Sequence, residues 1–119
     1  MQDYHNLDVW ARAHAQSLKV RKATRRFPRT GYASLKNQMT TAAESITFNI
    51  VEGCGASSQK DFARFLGISI KSAFELEYQL ELARDYGVLK PEAHPALSNE
   101  TIEIRKMLFG LQEKVLNSL

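Results

Sequence analysis

Cysteine is nearly absent from this chain. One, Cys54, stands among 119 residues, so no internal disulfide framework can form, and the composition fits a reducing, cytoplasmic setting. Proline is scarce too: Pro28, Pro91 and Pro95 are the three points where a helix has to start, stop or bend. No apolar run approaches the roughly 18 residues of a membrane span, and the opening MQDYHNLDVW does not follow the signal-peptide pattern. His5, His14 and His94 are scattered without metal-ligand spacing. No stretch alternates convincingly between apolar and polar residues, as a half-buried strand would.

What is present is ordinary for a globular protein, 24% charged and 44% apolar residues. The length suits one domain, residues 1–119, with a real core. Four segments carry helical period. The first is expected from about Leu7 to Phe27, capped by Asn6 and stopped by Pro28, with Val9, Ala13, Val20 and Phe27 in one stripe. Leu7, Trp10, His14 and Leu18 form a second stripe on the same helix. The second helix is expected from about Tyr32 to Glu52, ending at Gly53, with Leu35, Met39, Ala42, Ile46 and Ile50 inward.

Ser58 and Asp61 resemble a capping box opening the third helix, which should run to about Tyr86 and stop at Gly87. Its core stripe is Phe62, Leu66, Ala73, Leu76, Leu80 and Ala83, while Ile70, Phe74, Tyr78 and Leu82 lie on other faces. The fourth helix is clearest from about Asn99 to Asn117, with Ile104, Leu108, Leu111 and Val115 in register. Pro91 suits a first helical position, and a helix begun there should bend or break at Pro95. Short loops make neighbours antiparallel, giving an all-α, up-down four-helix bundle. The surplus apolar stripes predict a homo-oligomer, with Leu7, Trp10, Leu18, Arg21, Arg25, Ile70, Phe74 and Tyr78 at its interface.

Charge is unevenly distributed. Residues 1–40 carry eight Lys or Arg against Asp3 and Asp8, whereas residues 73–103 carry seven acids against Arg84 and Lys90. Within Leu18 to Arg29 stand Lys19, Arg21, Lys22, Arg25, Arg26 and Arg29, with no acid. On a helical wheel Arg12, Lys19, Lys22 and Arg26 share a solvent-facing sector, and Arg29 follows in the turn. Arg21 and Arg25 extend the Leu7/Trp10/Leu18 stripe. Three readings stay open for the run: contacts to nucleic-acid phosphates, complementation of a helix C-terminus, and pairing with the acidic stripe Glu77, Glu81 and Asp85.

Other chemistry finds little support. Ser57-Ser58-Gln59-Lys60 contains S-x-x-K without the accompanying acyltransfer motifs, and its serines suit helix caps. Cys54 has no assignable histidine partner. Glu75, Glu77 and Glu81 lack the Glu-x-x-His pairs of a bundle di-metal site. Asn49 and Glu52 sit three apart on one face. They can line a small polar pocket, but hydrogen bonding to neighbouring backbone or to another helix is the simpler role. The expectation is a protein with no catalytic residue, no metal and no cofactor.

The segments LDVWARAHAQSLKV, FPRTGYASLKNQMTTAAESITFNIVEG, FARFLGIS and SAFELEYQLELARDYG resemble the four-helix-bundle proteins often encoded within intervening sequences of 23S ribosomal RNA genes. Leu7, Val9, Trp10, Phe27, Pro28, Leu35, Gln38, Ala42, Ala43, Ser45, Ile46, Asn49, Ile50, Glu52 and Gly53 carry the match, followed by Ser72, Glu75, Leu76, Glu77, Gln79 and Leu80. Thr40 and Thr41 stand where the family pattern has paired arginines, which removes cations from a place where the family is basic. The resemblance implies a ring-like homopentamer and no established activity. It also connects the chain to accessory proteins of diversity-generating retroelements, and so implies RNA or DNA, and another protein such as a reverse transcriptase, as partners beside the chain itself. The alternative is a protein-interaction or small-ligand scaffold with no nucleic-acid role.

Overall fold

The computed structural model describes residues 2–119. A short 3₁₀ turn, Tyr4–Asn6, precedes four helices: α1 Asp8–Thr24, α2 Ala33–Cys54, α3 Gln59–Asp85 and α4 His94–Asn117. There is no strand among the described residues. Each helix packs on its neighbours in the order α1, α2, α3, α4 and back to α1, so α1 and α3 stand diagonally opposite, as do α2 and α4. Ties between neighbours pair rising numbers with falling ones, Ser45 with Ser72 and then Ile46 with Ser69 between α2 and α3 for example, which is the antiparallel arrangement expected of short loops. The result is an elongated bundle of 47 × 21 × 20 Å.

Most of the core is the set that periodicity selects, and Ala43, Cys54, Ala63, Ile70, Leu89 and Leu97 are buried beside it. Val9, Ala13, Val20 and Phe27 are buried with Leu35, Met39, Ala42, Ile46 and Ile50, and with Phe62, Leu66, Ala73, Leu76, Leu80 and Ala83. From α4 come Ile104, Leu108 and Val115, while Leu111 is half-buried. Three polar side chains stitch helices together inside. Gln16 Nε2 donates to the Leu97 carbonyl at 2.8 Å and to Thr101 Oγ1 at 2.9 Å. Ser69 Oγ donates to the Ile46 carbonyl at 2.9 Å.

Several boundaries differ from expectation for identifiable reasons. Asn6 does not cap α1. Asp3 caps the 3₁₀ turn instead, its Oδ1 accepting from the His5 N–H, and Leu7 occupies the N-cap of α1 without a side-chain bond. The first helix stops at Thr24, three residues short of Phe27, where the Phe27 N–H turns back to the Thr24 carbonyl. Pro28 disfavours helical backbone at Phe27, and the freed Phe27 folds into the core at 7% exposure.

Helix α2 continues through Gly53 to Cys54. Gly53 is there for close approach: a Cβ would stand 2.8 Å from Cδ1 of the Phe62 ring. At the other end of α3, Gly87 does end the helix, with φ of +78° and both following N–H groups bonded to the Ala83 carbonyl. Ser58 caps α3 as expected, its Oγ accepting from the Asp61 N–H at 3.1 Å. Pro91 lies in a turn before α4, not at its first position. Pro95 sits in the first turn, where a missing N–H costs nothing, and the helix is unbroken.

Candidate functional site

The basic run occupies the C-terminal half of α1 and the turn after it. Lys19, Lys22, Arg26 and Arg29 are exposed, as are Arg21 and Arg25. None of these six takes part in the ion pairs formed among the described residues. Pairing within the chain to the acidic stripe is not formed either. Glu77 is held by a bidentate contact from Arg105, Asp85 is bonded by its neighbour Arg84, and α3 lies diagonally across from α1.

Arg12 departs from the expected phosphate-contacting set. Its Nε donates to Glu100 Oε2 at 2.9 Å and its Nη2 to Glu100 Oε1 at 2.6 Å, with Nη1 3.5 Å from Met107 Sδ. Hydrogen bonding to Arg12 holds the Glu100 carboxyl below its ordinary value, against the opposing effect of burial. Arg12 is therefore a tie between α1 and α4. Sequence periodicity placed it in a solvent-facing sector and could not reveal that α4 packs beside that part of α1.

Two aromatic surfaces flank the bundle. On the α1/α2 side, Trp10 stacks on His14 with centroids 5.1 Å apart and meets Tyr4 edge-on at 5.0 Å. These rings, with Phe48, Val51 and Glu52, line a groove of about 350 Å³. Phe48 is 63% exposed, Leu7 is half-buried, and Leu18, one turn beyond His14, is exposed. On the α3/α4 side Phe74 meets Phe109 edge-on at 6.5 Å, Arg105 lies over the Phe74 ring at 4.3 Å, and Tyr78 is 60% exposed. Because α1/α2 and α3/α4 are opposite edges of the bundle, the two surfaces face away from each other.

Ile70 does not belong to either surface. It is enclosed by its own bundle at 6% exposure, since the face of α3 that carries it turns toward the core. Sequence reasoning missed Tyr4, Phe48 and Phe109. The available signal was an aromatic residue out of register with its helix's core stripe, two positions past Ile46 for Phe48 and one past Leu108 for Phe109.

The remaining candidates are structural. Asn49 Nδ2 donates to the Ser45 carbonyl at 2.8 Å and to Ser45 Oγ at 3.1 Å, whereas Glu52 lines the Trp10 groove. Cys54 is buried, and that burial pushes its thiol up, away from the reactive thiolate. Among the described residues no group of three or more His, Cys, Asp or Glu could hold a metal ion. No helix among them is long and apolar enough to cross a membrane.

The fold and these surfaces define an all-helical four-helix-bundle protein. The chain belongs to the 23S rRNA-intervening sequence protein family, whose pattern matches residues 5–110. It is similar to the crystal structure of a protein of unknown function from the S23 ribosomal protein family of Bacteroides thetaiotaomicron VPI-5482. The two share 25% identity with a TM-score of 0.82, over 87% of this chain and 97% of that one. No curated protein matches the chain.

Proposed function

We propose that the protein is a non-enzymatic, homo-oligomeric helical scaffold that holds RNA or DNA phosphates on Lys19, Lys22, Arg26 and Arg29. The observation that carries this reading is the run of exposed cations, none of which joins an ion pair among the described residues. Free cations at helical spacing suit a phosphate backbone, and symmetry multiplies them in an assembly. Phe27, the aromatic residue between Lys19 and Arg29, is buried at 7% exposure, so the run itself presents no stacking ring and binding through it is sequence-tolerant.

The opposed aromatic surfaces support assembly. Two different patches on opposite sides of one subunit associate head to tail, and such contacts close into a ring when the rotation allows. The count of five, and a reverse transcriptase as a further partner, rest on the family resemblance. The same surfaces favour a second reading, in which assembly and protein contact are the whole function and nucleic acid plays no part.

A salt titration of binding to unrelated RNA and DNA sequences separates the two. Neutralising about four phosphates gives a log–log slope of roughly −2.8 to −3.6, a loss of about two orders of magnitude in affinity from roughly 50 to 200 mM salt. Absence of binding at low salt overturns the nucleic-acid reading and leaves the second.

A further inference from the structure

The turns that close one end of the bundle, residues 25–32 between α1 and α2 and residues 86–93 between α3 and α4, bring two aromatic rings together. Tyr32 stands at the N-cap of α2 and Tyr86 at the C-cap of α3, and antiparallel packing of the two helices sets those termini side by side. Their ring centroids are 6.2 Å apart, with planes inclined at 48°. Gly31, at φ of +95°, makes the turn that delivers Tyr32, in a conformation that a side chain would strain. With Ser34, Leu35, Gln38 and Leu82, the two rings line a cleft of about 400 Å³.

The rings are unequal. Tyr32 is half-buried and packs against the hydrophobic core, whereas Tyr86 is 56% exposed. A flat ring held between two others needs them about 7 Å apart, twice the contact distance of carbon. This pair is closer than that and tilted, so it forms a wedge in which a flat ligand lies on Tyr86 with Tyr32 as a fixed wall. The charge around the wedge selects the ligand. From Arg25 to Lys36 the chain carries Arg25, Arg26, Arg29 and Lys36 and no acid. All are exposed, and none takes part in the ion pairs formed among the described residues. Arg29 is three residues from Tyr32, a span of at most about 11 Å. On the other side, Asp85 is bonded by Arg84 at 3.0 Å, and Glu92 shares its turn with Lys90.

We propose that this cleft takes an unstacked base of a single-stranded nucleic acid on the ring of Tyr86, while Arg29 and Lys36 hold the phosphates beside it. An exposed aromatic face next to unpaired cations is the pairing that single strands require. Base stacking here rests on the phosphate reading of the basic run and narrows it to single strands. A duplex keeps its bases stacked inside, so it can use the cations but not the ring. Every base has a π-face, so stacking on Tyr86 preserves the tolerance of sequence.

The test is fluorescence anisotropy on the intact protein at low salt, with oligothymidylate, oligouridylate, an abasic deoxyribose strand and a duplex, all of one length. Both base-bearing single strands are expected to bind at least about fivefold tighter than the abasic strand. Tyr86→Ala should remove that advantage and leave the abasic strand and the duplex unchanged. It should also leave the salt slope for oligothymidylate unaltered, because no cation is lost. Tyr86→Phe, which keeps the ring, should bind like the parent, whereas Arg29→Ala should lower the single-strand slope by about 0.7. The abasic comparison needs no variant, so misfolding of Tyr86→Ala would not shield the cleft from refutation. Equal affinity for base-bearing and abasic strands, or an undiminished advantage in Tyr86→Ala, overturns the base cleft and leaves the phosphate surface standing. Absence of binding by every probe overturns both.

Discussion

Arg12 and Glu100 meet across the seam between α1 and α4 through two parallel contacts, Nε to Oε2 at 2.9 Å and Nη2 to Oε1 at 2.6 Å. The side chains are 41% and 24% exposed, so water screens much of the attraction. A double-mutant cycle of Arg12→Ala and Glu100→Ala should give a coupling of about 0.5–1 kcal/mol in urea unfolding. Glu100 has its carboxyl lowered in the folded state by Arg12, so its contribution is full above the ordinary value of 4.5 and fades as pH falls through the lowered one. The coupling measured at neutral pH should therefore shrink in acid below that range, and a coupling that grows there refutes the assignment.

Nucleic-acid binding should separate Arg12 from the cations beyond it. Replacing Lys19, Lys22 and Arg26 with Ala should reduce the salt slope by about 2–3, whereas Arg12→Ala should leave it unchanged. Light scattering on the triple variant should still show the assembled species. Failure of assembly with unchanged affinity moves the run from a phosphate surface to a subunit contact.

Head-to-tail assembly makes a prediction that a two-fold contact does not. Phe48→Ser spoils the α1/α2 surface and Tyr78→Ser the α3/α4 surface, so each variant alone should be monomeric by sedimentation. Mixed together they should form dimers and stop, because one intact surface of each kind remains.

Gly53→Ala tests the close approach of α2 to α3. Helix propensity alone favours alanine by about 1 kcal/mol. Here the added Cβ meets Phe62 Cδ1 at 2.8 Å and Phe65 Cβ at 3.2 Å. Overpacking of that kind costs about 1–3 kcal/mol, so the variant should unfold at lower urea. Adding Phe62→Leu should recover part of the loss, and a Gly53→Ala variant more stable than the parent disproves the packing role.

Helical period by itself determined the four helices and most of the core, because a rise and rotation repeated at every residue decides which side chains share a face. Val9, Ala13 and Val20, or Leu66, Ala73 and Leu80, are inward whatever the neighbours are. The caps at Ser58 and Gly87 were legible for the same local reason. Period cannot say which helix a face meets, and that is where the candidate surfaces were decided. Adjacency of α1 to α4 turned Arg12 from a free cation into a partner of Glu100. The packing of α3 on its neighbours enclosed Ile70, while Phe48 was left open beside Trp10. Tertiary neighbours also set Gly53 against Phe62, making it a contact inside α2 when a glycine after a helical run reads as a stop.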